Sequence, residues 1–156
     1  MGMRTTIYGY IEEMDLWRDP VRSKIRKHNA DVIRSLPIAD PWPPLSREMF
    51  ATTTNYKRAD GPNLEYQGRI FHFGANLKSV EQEWGEWRLK FESLLARLYF
   101  LEAKVHVHPE YMLAATSTWM VDLLKYQVHD DGSMPSLIRP EYVDYEGSEL
   151  DTMYGL

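Results

Sequence analysis

No cysteine occurs among these 156 residues. Disulfides, thiolate metal sites and cysteine nucleophiles are thereby excluded together, and the composition suits a reducing compartment. No apolar run approaches the ~18 residues that a membrane-spanning helix needs. Glycines are scattered singly, so the clustered glycines of a phosphate-cradling loop are missing, as are an H-E-x-x-H pair and a G-x-S-x-G elbow. Internal repeats and low-complexity tracts are absent as well. Met1-Gly2-Met3-Arg4-Thr5 leads straight into a strand-like pattern without an apolar signal core. The expectation is a cytoplasmic protein with no membrane partner.

What is present is ordinary globular material. Hydrophobic residues make up 44% and charged residues 26%, enough for one domain to bury a core without staples. The net charge of −5 is unevenly placed. From Gln127 onward seven acids face Arg139 alone, which leaves the rest of the chain close to neutral. A near-neutral body is a poor binder of nucleic acid, whereas the tail suits a basic partner. The expected organisation is an α+β domain over residues 1–126 and an irregular acidic extension of it over residues 127–156.

Along the chain, residues 5–12 alternate as a first strand, with Ile7 and Ile11 on one face and Tyr8 and Tyr10 on the other. A polar loop is expected next, holding Glu12, Glu13, Asp15 and Trp17. Asp19-Pro20 reads as an N-cap with proline at the first helical position. Val21, Ile25, Val32, Ile33 and Leu36 then share one helical face, and Pro37 ends the helix for want of an N–H. The proline-rich stretch around Trp42 reads as an ordered crossover. Residues 49–57 and 68–75 are expected to pair as a long hairpin. Ser79 and Gln82 form a capping-box pattern, followed by an apolar stripe of Val80, Trp84, Trp87, Phe91, Leu94, Leu95 and Leu98. Strands over residues 103–108 and 114–122 close the pattern. The order β-α-β-β-α-β-β predicts one antiparallel or mixed sheet of about five strands, ferredoxin-like, with two helices on one face.

Few residues offer chemistry. His106 and His108 lie two apart on a strand and point to one face; with Glu110 and His72 they form the best metal-ligand candidates. Strand alternation offers a simpler account, because it places Val105 and Val107 in the core and leaves both histidines to solvent. A Ser117–His106–Asp122 triad can be written, without any supporting motif. The basic residues of the first helix are spread around its axis and read as a solvated face. No catalytic residue, metal or cofactor is therefore assigned. Acids and exposed aromatics mix in two places, the loop Glu12, Glu13, Asp15 and Trp17 and the tail Glu141, Tyr142, Asp144, Tyr145 and Glu146. These are the candidate partner-binding residues, since that pairing supplies both electrostatic steering and anchoring area.

Several segments together carry a family resemblance. They are the Gly9-Tyr10 strand, Asn29 to Leu36-Pro37, Trp42-Pro43-Pro44 before Phe50, Trp87-x-x-Lys90-Phe91-Glu92-x-Leu94-Leu95-x-x-Leu98-Tyr99, Val105-His106-Val107, and Trp119. Over residues 7–122 the chain resembles immunity proteins of bacterial polymorphic toxin systems. The resemblance implies a cytoplasmic α+β protein that binds a cognate toxin and blocks it, without enzymatic activity of its own. The acidic tail would suit a toxin with a basic surface. The alternative is a small metal-dependent enzyme or ligand-binding protein built on His72, His106, His108 and Glu110.

Overall fold

A computed structural model describes residues 3–15, 19–52 and 69–121, together with the backbone of residues 142–146. The α+β class is as expected. Strands β1 (Arg4–Glu13), β2 (Phe50–Thr52), β3 (Ile70–Lys78), β4 (Phe100–Pro109), β5 (Ala115–Val121) and β6 (Tyr142–Glu146) join in one open sheet in the order β2-β3-β1-β4-β5-β6. Every adjacent pair is antiparallel. Helices α1 (Val21–Arg34) and α2 (Trp84–Leu95) cover one face. The expected strands, about five, are present as β1 to β5, and a sixth is added at the edge. The sixth comes from the acidic tail, whose backbone pairs with β5 through Thr118↔Glu146 and Met120↔Asp144 instead of remaining irregular.

Alternation along β1 sends Ile7 and Ile11 into the core and Tyr8 and Tyr10 to the opposite face. Gly9 shares the core face, and here the missing side chain matters. A Cβ at this position would lie 1.9 Å from the Lys104 carbonyl oxygen and 2.9 Å from Cζ of Phe73. The Phe73 ring occupies the space above it, so the central strand accepts only glycine there.

The stripe expected on α2 is buried throughout, from Val80 to Leu98. Its rings form a continuous stack. Trp84 lies 5.8 Å from Trp87, Trp87 lies 5.2 Å from Phe91, and Phe91 reaches Trp119 of β5 at 5.1 Å. The start of this helix differs from expectation. Ser79 takes a left-handed conformation and makes no side-chain cap, and a 3-10 turn over Val80–Glu83 precedes α2. The Ser79 hydroxyl donates to the Met3 carbonyl at 3.3 Å instead, and Glu81 adds a second link, this one to β1. The Glu81 carboxylate is buried and accepts a hydrogen bond from the Thr5 hydroxyl, which ties this turn to β1.

Helix α1 begins one residue later than expected, with Pro20 rather than Asp19 at the cap position and no side-chain cap, although Asp19 still accepts from the Ser23 amide at 3.1 Å. Its Val32 and Ile33 enter the main core, while Val21 and Ile25 pack with Met14 and Tyr99 in a smaller cluster. Asn29 is fully buried, and its bonding capacity is used. Its amide donates to Glu13 and to the Tyr99 carbonyl at 3.0 Å each, and its oxygen accepts from the Tyr99 amide at 2.9 Å. A buried amide satisfied in this way fixes the helix to the ends of the central strands.

Candidate interaction surface

With both helices on one side, the other face of the sheet is left uncovered by any described element. Its residues follow from register. One row across the strands runs Gly74, Tyr8, His106, Thr116, and the next runs His72, Tyr10, Lys104, Thr118. Asn76, Thr6 and His108 form a third row. Tyr8 is 45% exposed and Met120 41%.

These side chains hold one another in place. The Tyr8 ring stacks on His106 with centroids 4.9 Å apart. Nδ1 of His106 lies 2.8 Å from the Thr116 hydroxyl, and the Thr6 hydroxyl donates to Asn76 at 2.6 Å. The Tyr10 hydroxyl donates to Glu102 at 2.5 Å. Burial, that bond and the charges of Glu102 and Glu12 push the Tyr10 phenol up to about 12. Partial burial and the nearby Lys104 ammonium hold His106 below the ordinary histidine pKa, which favours the neutral ring. The result is a polar and aromatic surface whose side chains contact one another.

The same register separates the candidate metal ligands. His72 stands on β3 and His106 and His108 on β4, with β1 between them. Two strand spacings amount to about 9–10 Å, too far for one ion to bridge without rearrangement. Among the described residues no group of three histidine, aspartate or glutamate side chains is placed to hold a metal. Ser117 and His106 cannot act together either. Ser117 is buried on the helix side, registered with Val105, whereas His106 faces solvent.

The expected loop acids are rearranged. Glu12 and Glu13 continue β1, because their pairing with β4 extends past a bulge between them. Glu13 is 1% exposed and receives a bidentate pair from Arg69 at 2.9 and 2.8 Å, with Arg26 at 3.8 Å. Asp15 is paired with Arg22 at 2.8 Å. Neither is a free acid on a loop; Glu13 holds α1 and β3 together. Glu12 is half-buried. Trp17 and Glu141 lie outside the described residues. Tyr142, Asp144, Tyr145 and Glu146 fall within β6, so their backbone is committed to the sheet edge.

The proline-rich crossover is ordered by anchors that sequence reasoning did not identify. Lys90 donates to Asp40 at 2.9 Å and to the carbonyls of Pro41 and Pro43 at 2.8 and 2.9 Å. The Trp87 indole N–H donates to the Pro44 carbonyl at 3.0 Å. Burial alone would raise the Asp40 carboxyl, but the Leu45 amide and Lys90 together hold it below the usual carboxylate range. Trp42 is carried half-exposed on this braced loop. Two recesses border the crossover. One of about 260 Å³ is lined by Asp40, Lys90 and Arg97 among others, and one of about 360 Å³ by Trp42, Lys78 and Glu83 among others.

Comparison with family models, curated proteins and solved structures finds no match to this chain. Among the described residues, no helix is long and apolar enough to cross a membrane.

Proposed function

We propose that this chain is an immunity protein that binds a cognate bacterial toxin in the cytoplasm and neutralises it by occupying the toxin's working surface. The observation that carries the reading is the uncovered sheet face, where tyrosine, histidine and threonine side chains are already locked to one another. An inhibitor needs a rigid complementary surface and no catalytic constellation. Binding is penalised by about 0.5–1.5 kcal/mol for each flexible side chain it immobilises, a cost that the Tyr8–His106–Thr116 contacts have largely met in advance. Tyrosine is also a favoured residue at binding hot spots. The acids concentrated after Gln127 suit a basic partner and would speed its approach.

Co-expression with the protein encoded beside this chain tests the reading in growing cells. The wild-type chain should rescue growth, and Tyr8→Arg should abolish rescue while leaving the melting temperature unchanged, because Tyr8 faces solvent. Failure of the wild-type chain to protect would refute the immunity role. Full protection by Tyr8→Arg would move the contact away from the open face. Stoichiometric zinc or iron in the purified protein would favour the metal-dependent alternative instead.

A further inference from the structure

Trp42 is 49% exposed, yet its backbone is not loose. The Lys90 ammonium donates to the carbonyls of Pro41 and Pro43, which clamps the chain on both sides of the tryptophan. Trp42 lines the recess of about 360 Å³ together with Lys78, Ser79, Gln82 and Glu83. The chain at Ser79 is fixed as well. It takes a φ of 51°, and its amide and hydroxyl both donate to the Met3 carbonyl, at 2.9 and 3.3 Å. The three other side chains keep their bonding capacity. Among the described residues, neither the Lys78 ammonium, the Gln82 side-chain amide nor the Glu83 carboxylate has a hydrogen-bond or ion-pair partner.

We infer that this recess binds a neutral pyranose sugar, whose C–H face packs on Trp42 and whose hydroxyls bond to Lys78, Gln82 and Glu83. The inference does not rest on the immunity reading. An indole offers a broad, flat apolar surface, and one face of a pyranose ring presents C–H groups to match it. The polar lining then selects the other side of the ligand. Lys78 can only donate, Glu83 in its ionised form can only accept, and the Gln82 amide does both. Hydroxyls satisfy all three, because each one donates and accepts. Charge points the same way. The ammonium and the carboxylate cancel, so a phosphate or carboxylate ligand would be desolvated against Glu83, and an amine against Lys78. A wholly apolar ligand would strip water from three polar groups and give them nothing in return. A volume of about 360 Å³ falls at the lower end of small-molecule sites, roughly 300–1,000 Å³, and so suits a short saccharide.

The indole N–H resonance of Trp42, assigned by its loss in Trp42→Phe, reports from the recess in the isotope-labelled full chain. The chain is titrated with the methyl pyranosides of glucose, mannose and galactose and with N-acetylglucosamine, and separately with adenosine and inorganic phosphate. The expected result is a saturable shift with at least one of the sugars and none with adenosine or phosphate. The dissociation constant should be on the order of 1 mM, which about a dozen heavy atoms reach at ordinary ligand efficiency. In the variants, affinity is read from saturation transfer to the sugar. It should fall by about tenfold or more in Trp42→Ala and in Gln82→Ala at unchanged melting temperature, while Trp42→Phe, which keeps a ring, should bind more tightly than Trp42→Ala. Gln82 is exposed, so its variant decides the matter even where Trp42→Ala melts lower. No shift with any of the sugars would overturn the assignment. So would a stronger response to adenosine or phosphate, or sugar affinity equal to that of the wild-type chain in Gln82→Ala.

Discussion

Replacing Glu13 by glutamine changes no volume and removes one charge, so it isolates what the buried cluster contributes. In the native protein one oxygen accepts from Nε of Arg69 at 2.9 Å, and the other accepts from Nη2 at 2.8 Å and from Asn29 at 3.0 Å. Glutamine must turn an NH₂ group toward one of these donors, which breaks at least one bond and leaves the guanidinium without its buried counter-charge. Removing one partner of a buried pair costs about 3–5 kcal/mol. The Arg69 side chain is 17% exposed and also donates to the Arg26 carbonyl at 3.0 Å, which points to the lower end, about 3 kcal/mol. That is a large share of the roughly 5–15 kcal/mol by which domains are stable. Urea unfolding followed by tryptophan fluorescence measures it. A thermodynamic cycle with Arg69→Met should return a coupling of about 2 kcal/mol, because the second substitution removes an interaction already lost. At temperatures where Glu13→Gln is folded, it should bind the proposed toxin partner as tightly as the wild-type chain, since the side chain is enclosed. Stability within about 0.5 kcal/mol of wild type, the scale of a neutral surface change, would refute the structural role. It would return Glu13 to the list of contact residues.

Trp87→Ala should destabilise the fold by about 3–5 kcal/mol, the range for deleting a large buried aromatic, and release the Pro44 end of the crossover. An unchanged melting temperature would show that the α2 stripe is not the core. Stability should also depend on His106. Its folded pKa lies below the unfolded value of about 6.5, so the neutral ring's contribution is present above that pH and is lost as pH falls through it toward the folded pKa. His106→Gln should remove that part of the acid loss while leaving stability at pH 8 nearly unchanged; unfolding curves of both chains at pH 5 and pH 8 decide it, and identical pH dependence would contradict the assignment.

Much of the architecture was legible in the amino-acid order because it depends on periodicity. Ile7 and Ile11 against Tyr8 and Tyr10 specify a strand with two unlike faces, and the apolar spacing from Val80 to Leu98 specifies a helix with one buried stripe. The outward placement of His106 and His108 follows from the same alternation. What tertiary structure alone decided concerns residues whose local signals were ambiguous. Glu13 and Asp15 looked like solvated loop acids, because a charged residue shows its partner only after distant Arg69, or Arg22 in the next helix, is folded beside it. Ser79 and Gln82 matched a capping pattern, but in the fold the Ser79 hydroxyl donates to the carbonyl of Met3, distant in sequence. The acidic tail reads as irregular by composition, yet its residues 142–146 pair with β5 at an edge that no other described strand covers. Which apolar residues stay in water is likewise not a local property. Tyr111 and Leu113 resemble core residues in sequence, and only the closure of the β4–β5 turn against the start of β1 leaves them displayed at its tip.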